Sequence, residues 1–265
     1  MRKNILVTGA SSGFGLLIAN KLHENGHNVI GTSRNPEKLQ SVVPFKMIAL
    51  DLNSDESIKT LPNRLFKEIG KLDILINNAG FLVSGIAEET PIELGRQQFE
   101  TNFWGTIKVT NALLPHFRKQ RFGKIITLGS IIGLVAFPNA AYYASSKHAL
   151  EGYFKALRYE LDEFNIRVAM IQPAAFKTSI MDNSSSPVNK ITDYNSLRSK
   201  IEKFTIELVK SAEDPKMVAD KVLKVVQTEK PKFRNIVGKG TSALINLQHF
   251  AYGILEKNVL KQLNK

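Results

Sequence analysis

Seven short apolar runs rich in β-branched residues recur along this chain, each followed by a longer stretch of helical character, and nothing else in the sequence restricts the fold as tightly. The runs are KNILVT (3–8), NVIGTS (28–33), FKMIAL (45–50), DILIN (73–77), KIITLG (124–129), IRVAMIQ (166–172) and FRNIVG (233–238). Several are continuously apolar rather than alternating, as strands are when both their faces are buried. Amphipathic segments lie between them at 14–25, 55–69, 100–120, 143–164 and 215–229. The alternation predicts an α/β fold, a doubly wound parallel sheet of about seven strands with helices on both faces. A chain of 265 residues, 43% of them apolar, suits one domain over 1–265 with a substantial core. Residues 174–212 read as an insertion between the sixth strand and the next helix, and 240–265 as a C-terminal helical extension.

Composition removes several function classes. There is no cysteine, so disulfides, a thiol nucleophile and thiolate metal ligation are excluded, and no metal is expected. The N-terminal MRKNILVTGA runs straight into a strand pattern without the apolar core of a signal peptide, and no apolar run reaches the roughly 18 residues of a membrane span. A cytoplasmic protein is the expectation. The net charge is +12, and residues 190–265 carry 15 Lys and Arg against 8 Asp and Glu. These cations stand singly among acids, without like-charge runs or aromatic platforms, which reads as a solvated basic face rather than a nucleic-acid site.

The first strand leads into TGASSGFG (Thr8–Gly15) and then a helix. Glycines at 9, 13 and 15 in that context let backbone N–H groups approach a pyrophosphate at the positive end of the helix. A tight strand–helix turn without a ligand is the plain alternative. Further on, AAYYASSKHAL (140–150) holds the chain's one Tyr-x-x-x-Lys spacing, Tyr143 to Lys147. On a helix, positions four apart lie about 40° from each other and positions five apart about 140°, so Tyr143 shares a face with Lys147 and Tyr142 does not.

The turn T-G-x-x-x-G-x-G resembles that of the short-chain dehydrogenase/reductase family in its roughly 250-residue form. Other segments extend the likeness in order: NNAG (Asn77–Gly80) after the fourth strand, Asn102 in TNFWG, Ser130 in TLGS, and Tyr143 with Lys147. The run TLGSIIGLVAFPNAAYYASSKHALEG looks like the hydroxysteroid and retinol dehydrogenase branch. The resemblance implies a nicotinamide dinucleotide cradled by Gly9, Ser11, Ser12, Gly13, Phe14 and Gly15, with Asn78, Ala79 and Gly80 along it. It also implies that Asp51 and Leu52 lie beside the adenine, and that Pro173 and Thr178 lie near the carboxamide. Ala174 stands where the family usually has glycine, so the backbone there must be one an alanine tolerates. NAD-selective sites of this type place an acid after the second strand, whereas GTSRNPEK has none. Arg34 offers a fork of donors to a 2′-phosphate, helped by the hydroxyls of Thr32 or Ser33, so NADP(H) is the expected cofactor.

Carbonyl reduction needs a hydride at carbon and a proton for the developing alkoxide. A free tyrosine has a pKa of about 10, and an ammonium one helical turn away favours the phenolate. The resemblance therefore implies Tyr143 as acid/base, with Lys147 depressing its pKa and binding the nicotinamide ribose. Ser130 would hold the substrate oxygen, and Asn102 a water connecting Lys147 to solvent. His148 and Tyr142 read as packing or interface residues.

The substrate pocket is expected from 81–89, 131–139 and the insertion, with Phe81, Val83, Ile132, Val135, Phe137 and Phe176 in its wall. Such a lining suits a ketone, aldehyde or alcohol on a hydrophobic body. A polar metabolite such as a sugar or 3-oxoacyl compound is the alternative, as is an NADP-binding regulator without turnover. Residues 242–263 read as an amphipathic helix that packs on its own domain or on a partner subunit, a membrane surface being the other reading. A homodimer or homotetramer is implied by the family likeness alone.

Overall fold

The apolar runs become strands β1 (Asn4–Val7), β2 (Asn28–Ser33), β3 (Lys46–Ala49), β4 (Ile74–Asn77), β5 (Gly123–Leu128), β6 (Ile166–Pro173) and β7 (Arg234–Val237) in a computed structural model that describes residues 1–176 and 185–263. All neighbours pair in parallel, in the order β3-β2-β1-β4-β5-β6-β7. Chain order reverses between β1 and β4, and the crevice of a doubly wound sheet opens at the carboxyl ends of such a pair.

Helices α1 (Gly13–Glu24) and α7 (Lys216–Gln227) are packed on one face of the sheet; α2 (Asp55–Ile69), α4 (Thr106–Gln120) and α5 (Ala141–Glu160) are packed on the other. Successive strand residues serve opposite faces. Ile5, Val7, Ile74, Ile76, Ala169 and Ile171 meet Ile18, Leu22, Val218 and Val222. Leu6, Leu75, Val168 and Met170 meet Leu65, Leu113, Phe117, Leu150 and Phe154. This two-sided burial is why the strands read as unbroken apolar runs. Helix α2 starts as its sequence dictates: Ser54 accepts from the Ser57 N–H, and Asp55 and Glu56 occupy the positive first turn.

Three segments differ from expectation. The helical stretch expected at 100–120 begins earlier, with α3 (Ile92–Phe99), and passes through a π-helical turn (Glu100–Gly105) before α4. The insertion carries α6 (Asn195–Lys210). The single C-terminal helix expected at 242–263 is two, α8 (Thr241–Phe250) and α9 (Tyr252–Leu263), broken at Ala251 with φ −148° and ψ 49°. The break lets Leu244, Ile245, Leu247, Leu255 and Val259 converge on Ile131 and Val135, while Phe250, Tyr252, Ile254 and Leu260 stay exposed. Among the described residues no helix is long and apolar enough to cross a membrane. Ala174 is not among the positive-φ residues and its N–H bonds the Val237 carbonyl at 2.9 Å, so the position makes no demand for glycine.

A buried lysine ties the sheet to α7. Lys124 on β5 donates to the carbonyls of Val225, Val226 and Thr228 at 2.8, 2.9 and 2.6 Å, closing the negative end of that helix. Burial pushes its pKa down to about 8. Lys124→Met keeps the stem but strands those carbonyls. It should lower the unfolding free energy by about 1–3 kcal/mol, read as a lower midpoint in urea denaturation.

Candidate active site

A cleft of about 740 Å³ opens over the carboxyl ends of the central strands. Gly9, Ser11, Ser12, Gly13 and Phe14 line it from the first turn, Ser33 and Arg34 from the end of β2, and Asp51 and Leu52 from the end of β3. Asn78, Ala79, Gly80 and Phe81 follow β4, with Asn102, Tyr143 and Lys147 opposite. Gly15, Ser130 and Pro173 are not in its lining, and Thr178 lies outside the described residues.

The glycine turn is built for close approach. Gly9 and Gly13 have φ of +66° and +53°, in the left-handed region that favours glycine. A Cβ on Gly15 would lie 2.1 Å from the Gly9 carbonyl oxygen and 2.4 Å from Asn78 Nδ2. Asn78 Nδ2 donates to the carbonyls of Thr8 and Gly9 at 2.9 and 3.1 Å. The Thr8 hydroxyl accepts from the N–H groups of Asn78 and Ala79 at 3.0 and 3.1 Å. Thr8 thus emerges as a central member of the site that the motif reading left unassigned.

Three features fit a dinucleotide. Ser12, at the N-cap of α1, makes no side-chain cap bond, so the positive end of that helix is open to an anion. The buried Ser33 hydroxyl has no partner among the described residues. Arg34 is exposed at the cleft and forms no ion pair among the described residues. The Thr32 hydroxyl, by contrast, accepts from the Gly9 N–H at 3.3 Å and belongs to the turn itself. Asp51 uses a carboxylate oxygen on the Asn53 N–H at 3.0 Å. Among the described residues no group of three His, Cys, Asp or Glu is placed to hold a metal ion.

Helix α5 brings Tyr143 and Lys147 to the cleft on one buried face. Lys147 Nζ lies 5.7 Å from the Tyr143 ring centroid and donates to the Leu128 carbonyl at 2.9 Å. Burial dominates both groups. It raises Tyr143 to about 12 against the lowering pull of the Ser130 hydroxyl, and lowers Lys147 to about 8. The depression of the tyrosine expected from its lysine neighbour is therefore reversed by desolvation. Ser130 also accepts from the Ile132 N–H at 3.2 Å, capping the short turn after β5. Asn102 grips Phe81 from both sides: its Oδ1 accepts from the Phe81 N–H at 3.0 Å and its Nδ2 donates to the Phe81 carbonyl at 2.9 Å. One helical turn earlier Gln98 donates to the same carbonyl and accepts from the Val83 N–H, a second clamp that no motif signalled.

The expected pocket residues divide. Phe81 lines the cleft. Val83 is buried where the chain bridges to Ser185. Ile132, Val135 and Phe137 pack with α8 and α9, and Phe137 stacks on Phe204 of α6 at 6.5 Å between centroids. Phe176 lies edge-on to Phe14 in the main core. Apolar side chains on these loops are taken up by elements distant in sequence rather than left facing the cleft. Tyr142 packs its ring over Gly95 of α3, and His148 Nδ1 lies 2.9 Å from the Ala144 carbonyl.

Comparison with known proteins agrees with this geometry. Residues 3–189 match the family described as short chain dehydrogenase. A protein of Bacteroides thetaiotaomicron named 3-ketodihydrosphingosine reductase is 36% identical over 88% of this chain and 87% of its own length. An uncharacterised oxidoreductase of Bacillus subtilis is 39% identical over 90% of each. The crystal structure of a short-chain dehydrogenase from Streptomyces avermitilis superimposes with a TM-score of 0.85 at 30% identity, covering 100% of this chain and 98% of that one.

The glycine turn yields a direct test. Gly15→Ala forces its new methyl into the Gly9 carbonyl, so the turn must open. Dinucleotide affinity, measured by fluorescence titration with NADPH, should fall about tenfold or more, with the far-ultraviolet circular dichroism retained.

Proposed function

The chain belongs to the short-chain dehydrogenase family, and from that premise we propose that it is an NADP(H)-dependent oxidoreductase interconverting a carbonyl and an alcohol on a hydrophobic substrate. The observation that carries the reading is Tyr143, buried beside Lys147 on one face of α5 at the cleft, with the Ser130 hydroxyl drawing its pKa down against burial. The bound nicotinamide supplies hydride transfer, and the protein supplies the rest. Ser130 holds the substrate oxygen and stabilises the charge that develops there. A phenol raised to about 12 keeps its proton at neutral pH and can give it to a developing alkoxide. Lys147, at about 8, is still largely an ammonium at neutral pH. Two of its donors have no partner among the described residues and are suited to ribose hydroxyls. Asn102 fixes Phe81 at the cleft wall.

Preference for the phosphorylated cofactor rests on Arg34, the Ser33 hydroxyl, which has no partner among the described residues, and the lack of an acid in 32–35. A carboxylate there would repel a 2′-phosphate and a guanidinium attracts it. For the substrate, Phe81 at the cleft favours an apolar body. A relative bearing the name 3-ketodihydrosphingosine reductase makes long-chain ketones the first compounds to try.

Two substitutions test these assignments. Tyr143→Phe should lower kcat for NADPH-dependent ketone reduction by about 100-fold or more with NADPH binding intact, and retained turnover would remove Tyr143 from the proton step. Arg34→Asp should shift the ratio of kcat/KM for NADPH over NADH by about 100-fold towards NADH, a loss on the order of 2–3 kcal/mol of phosphate binding. An unchanged ratio would dismiss the phosphate clamp.

A further inference from the structure

Behind Ser130 lies a buried polar chain that the proposed chemistry does not use. Gln172, at the carboxyl end of β6, has no solvent exposure. Its Oε1 accepts from the Ser130 N–H at 2.8 Å, and its Nε2 donates to the carboxylate of Glu151. Glu151 is itself buried, on α5, one helical turn beyond Lys147 and two beyond Tyr143. Its other oxygen accepts from Arg234 Nε on β7. The amide of Gln172 fills the space under the Gly129–Ser130 turn so closely that a Cβ on Gly129 would lie 2.4 Å from Oε1.

We propose that Gln172 and Glu151 are positioning residues that set the Ser130 backbone against the helix carrying Tyr143 and Lys147. The proposal rests on the reading of Ser130 and Tyr143 as the reacting pair. A chain of hydrogen bonds runs from the Ser130 N–H through Gln172 and Glu151 back to α5. This path holds the serine main chain whichever way its hydroxyl turns. The chemistry of the path is directional. An N–H on one side and a carboxylate on the other require an acceptor and a donor at the two ends of one side chain, which glutamine provides. Arg234 balances the charge of Glu151, so the carboxylate is not left buried and alone. A shift of about 1 Å at Ser130 would cost as much as 100-fold in rate, which is why a rigid tether matters.

Exchanging the two side chains tests the path. Gln172→Glu sets a carboxylate against Glu151 and breaks the link. In the double variant Gln172→Glu/Glu151→Gln the new carboxylate accepts from both the Ser130 N–H and the amide introduced on α5. The oxygen of that amide accepts from Arg234, so every donor again meets an acceptor. With a ketone that the unmodified enzyme reduces, Gln172→Glu should lose about 10–100-fold in kcat with KM for NADPH within about twofold. The double variant should recover to within about threefold of the unmodified kcat, a coupling only interacting residues produce. An unchanged kcat in Gln172→Glu, or a double variant no better than that single one, overturns the proposal. Hydrogen exchange at the Ser130 amide decides it without turnover: exchange should quicken at least about tenfold in Gln172→Met relative to the unmodified protein and the double variant. Equal protection in all three overturns it as well. If the unmodified enzyme reduces none of the ketones, the proposed function fails, and the exchange rates still decide whether the tether exists.

Discussion

Everything at this site hangs from one clamp at the point where strand order reverses. Asn78 reaches back from the end of β4 to hold the Thr8 and Gly9 carbonyls, and the Thr8 hydroxyl receives two N–H groups from the chain just past β4 in return. The Gly9 N–H is taken by Thr32, so the end of β2 is drawn into the same knot. Side chains thus satisfy the backbone polar groups that a sharp, buried turn would otherwise strand. What remains open is the start of α1, the Ser33 hydroxyl and Arg34, the groups an anionic dinucleotide needs. The cleft is the space that this knot holds open.

Burial sets the electrostatic character of the opposite wall. Tyr143 and Lys147 sit in the same dry environment, which disfavours the charged form of each and moves their pKa values away from the free values in opposite directions. The two are near enough for a charge on one to matter to the other, but burial makes charge costly for each. In that setting a proton stays on the phenol until a stronger demand appears across the cleft. The Ser130 hydroxyl draws the phenol the other way.

Strands and the glycine turn were legible because their causes are local. β2 coincides with its apolar run at both ends, and α2 with its amphipathic segment, the latter fixed by the Ser54 cap. Tyr143 could be separated from Tyr142 by periodicity alone. The π-helical turn was not legible, since ETNFWG has no composition that favours an extra residue per turn; the clamp of Asn102 on Phe81 gives that turn its use. The break at Ala251 falls just before Gly253, a weak signal alone, and follows from a shared landing surface on Ile131 and Val135. That same surface explains why Val135, Ile132 and Phe137, apolar and near the site in sequence, pack against helices more than 100 residues downstream. No role for Gln172 and Glu151 was legible, because their meeting depends on β6 ending beside α5.

Helix α5 is also a ruler. Tyr143, Lys147 and Glu151 are spaced so that each stands one turn above the last, and the ruler is graduated by residue count rather than by residue type. Adding or removing a single residue between any two of them rotates the next by about 100° and carries it off the face. The residues between are under different constraints: Ser145 is exposed, while Ser146 is fully buried and bonded to the Tyr143 carbonyl. Over this stretch the protein should therefore accept changes of letter at the outward positions and no change of length, and drift in its descendants will leave the interval standing after the intervening sequence has been rewritten.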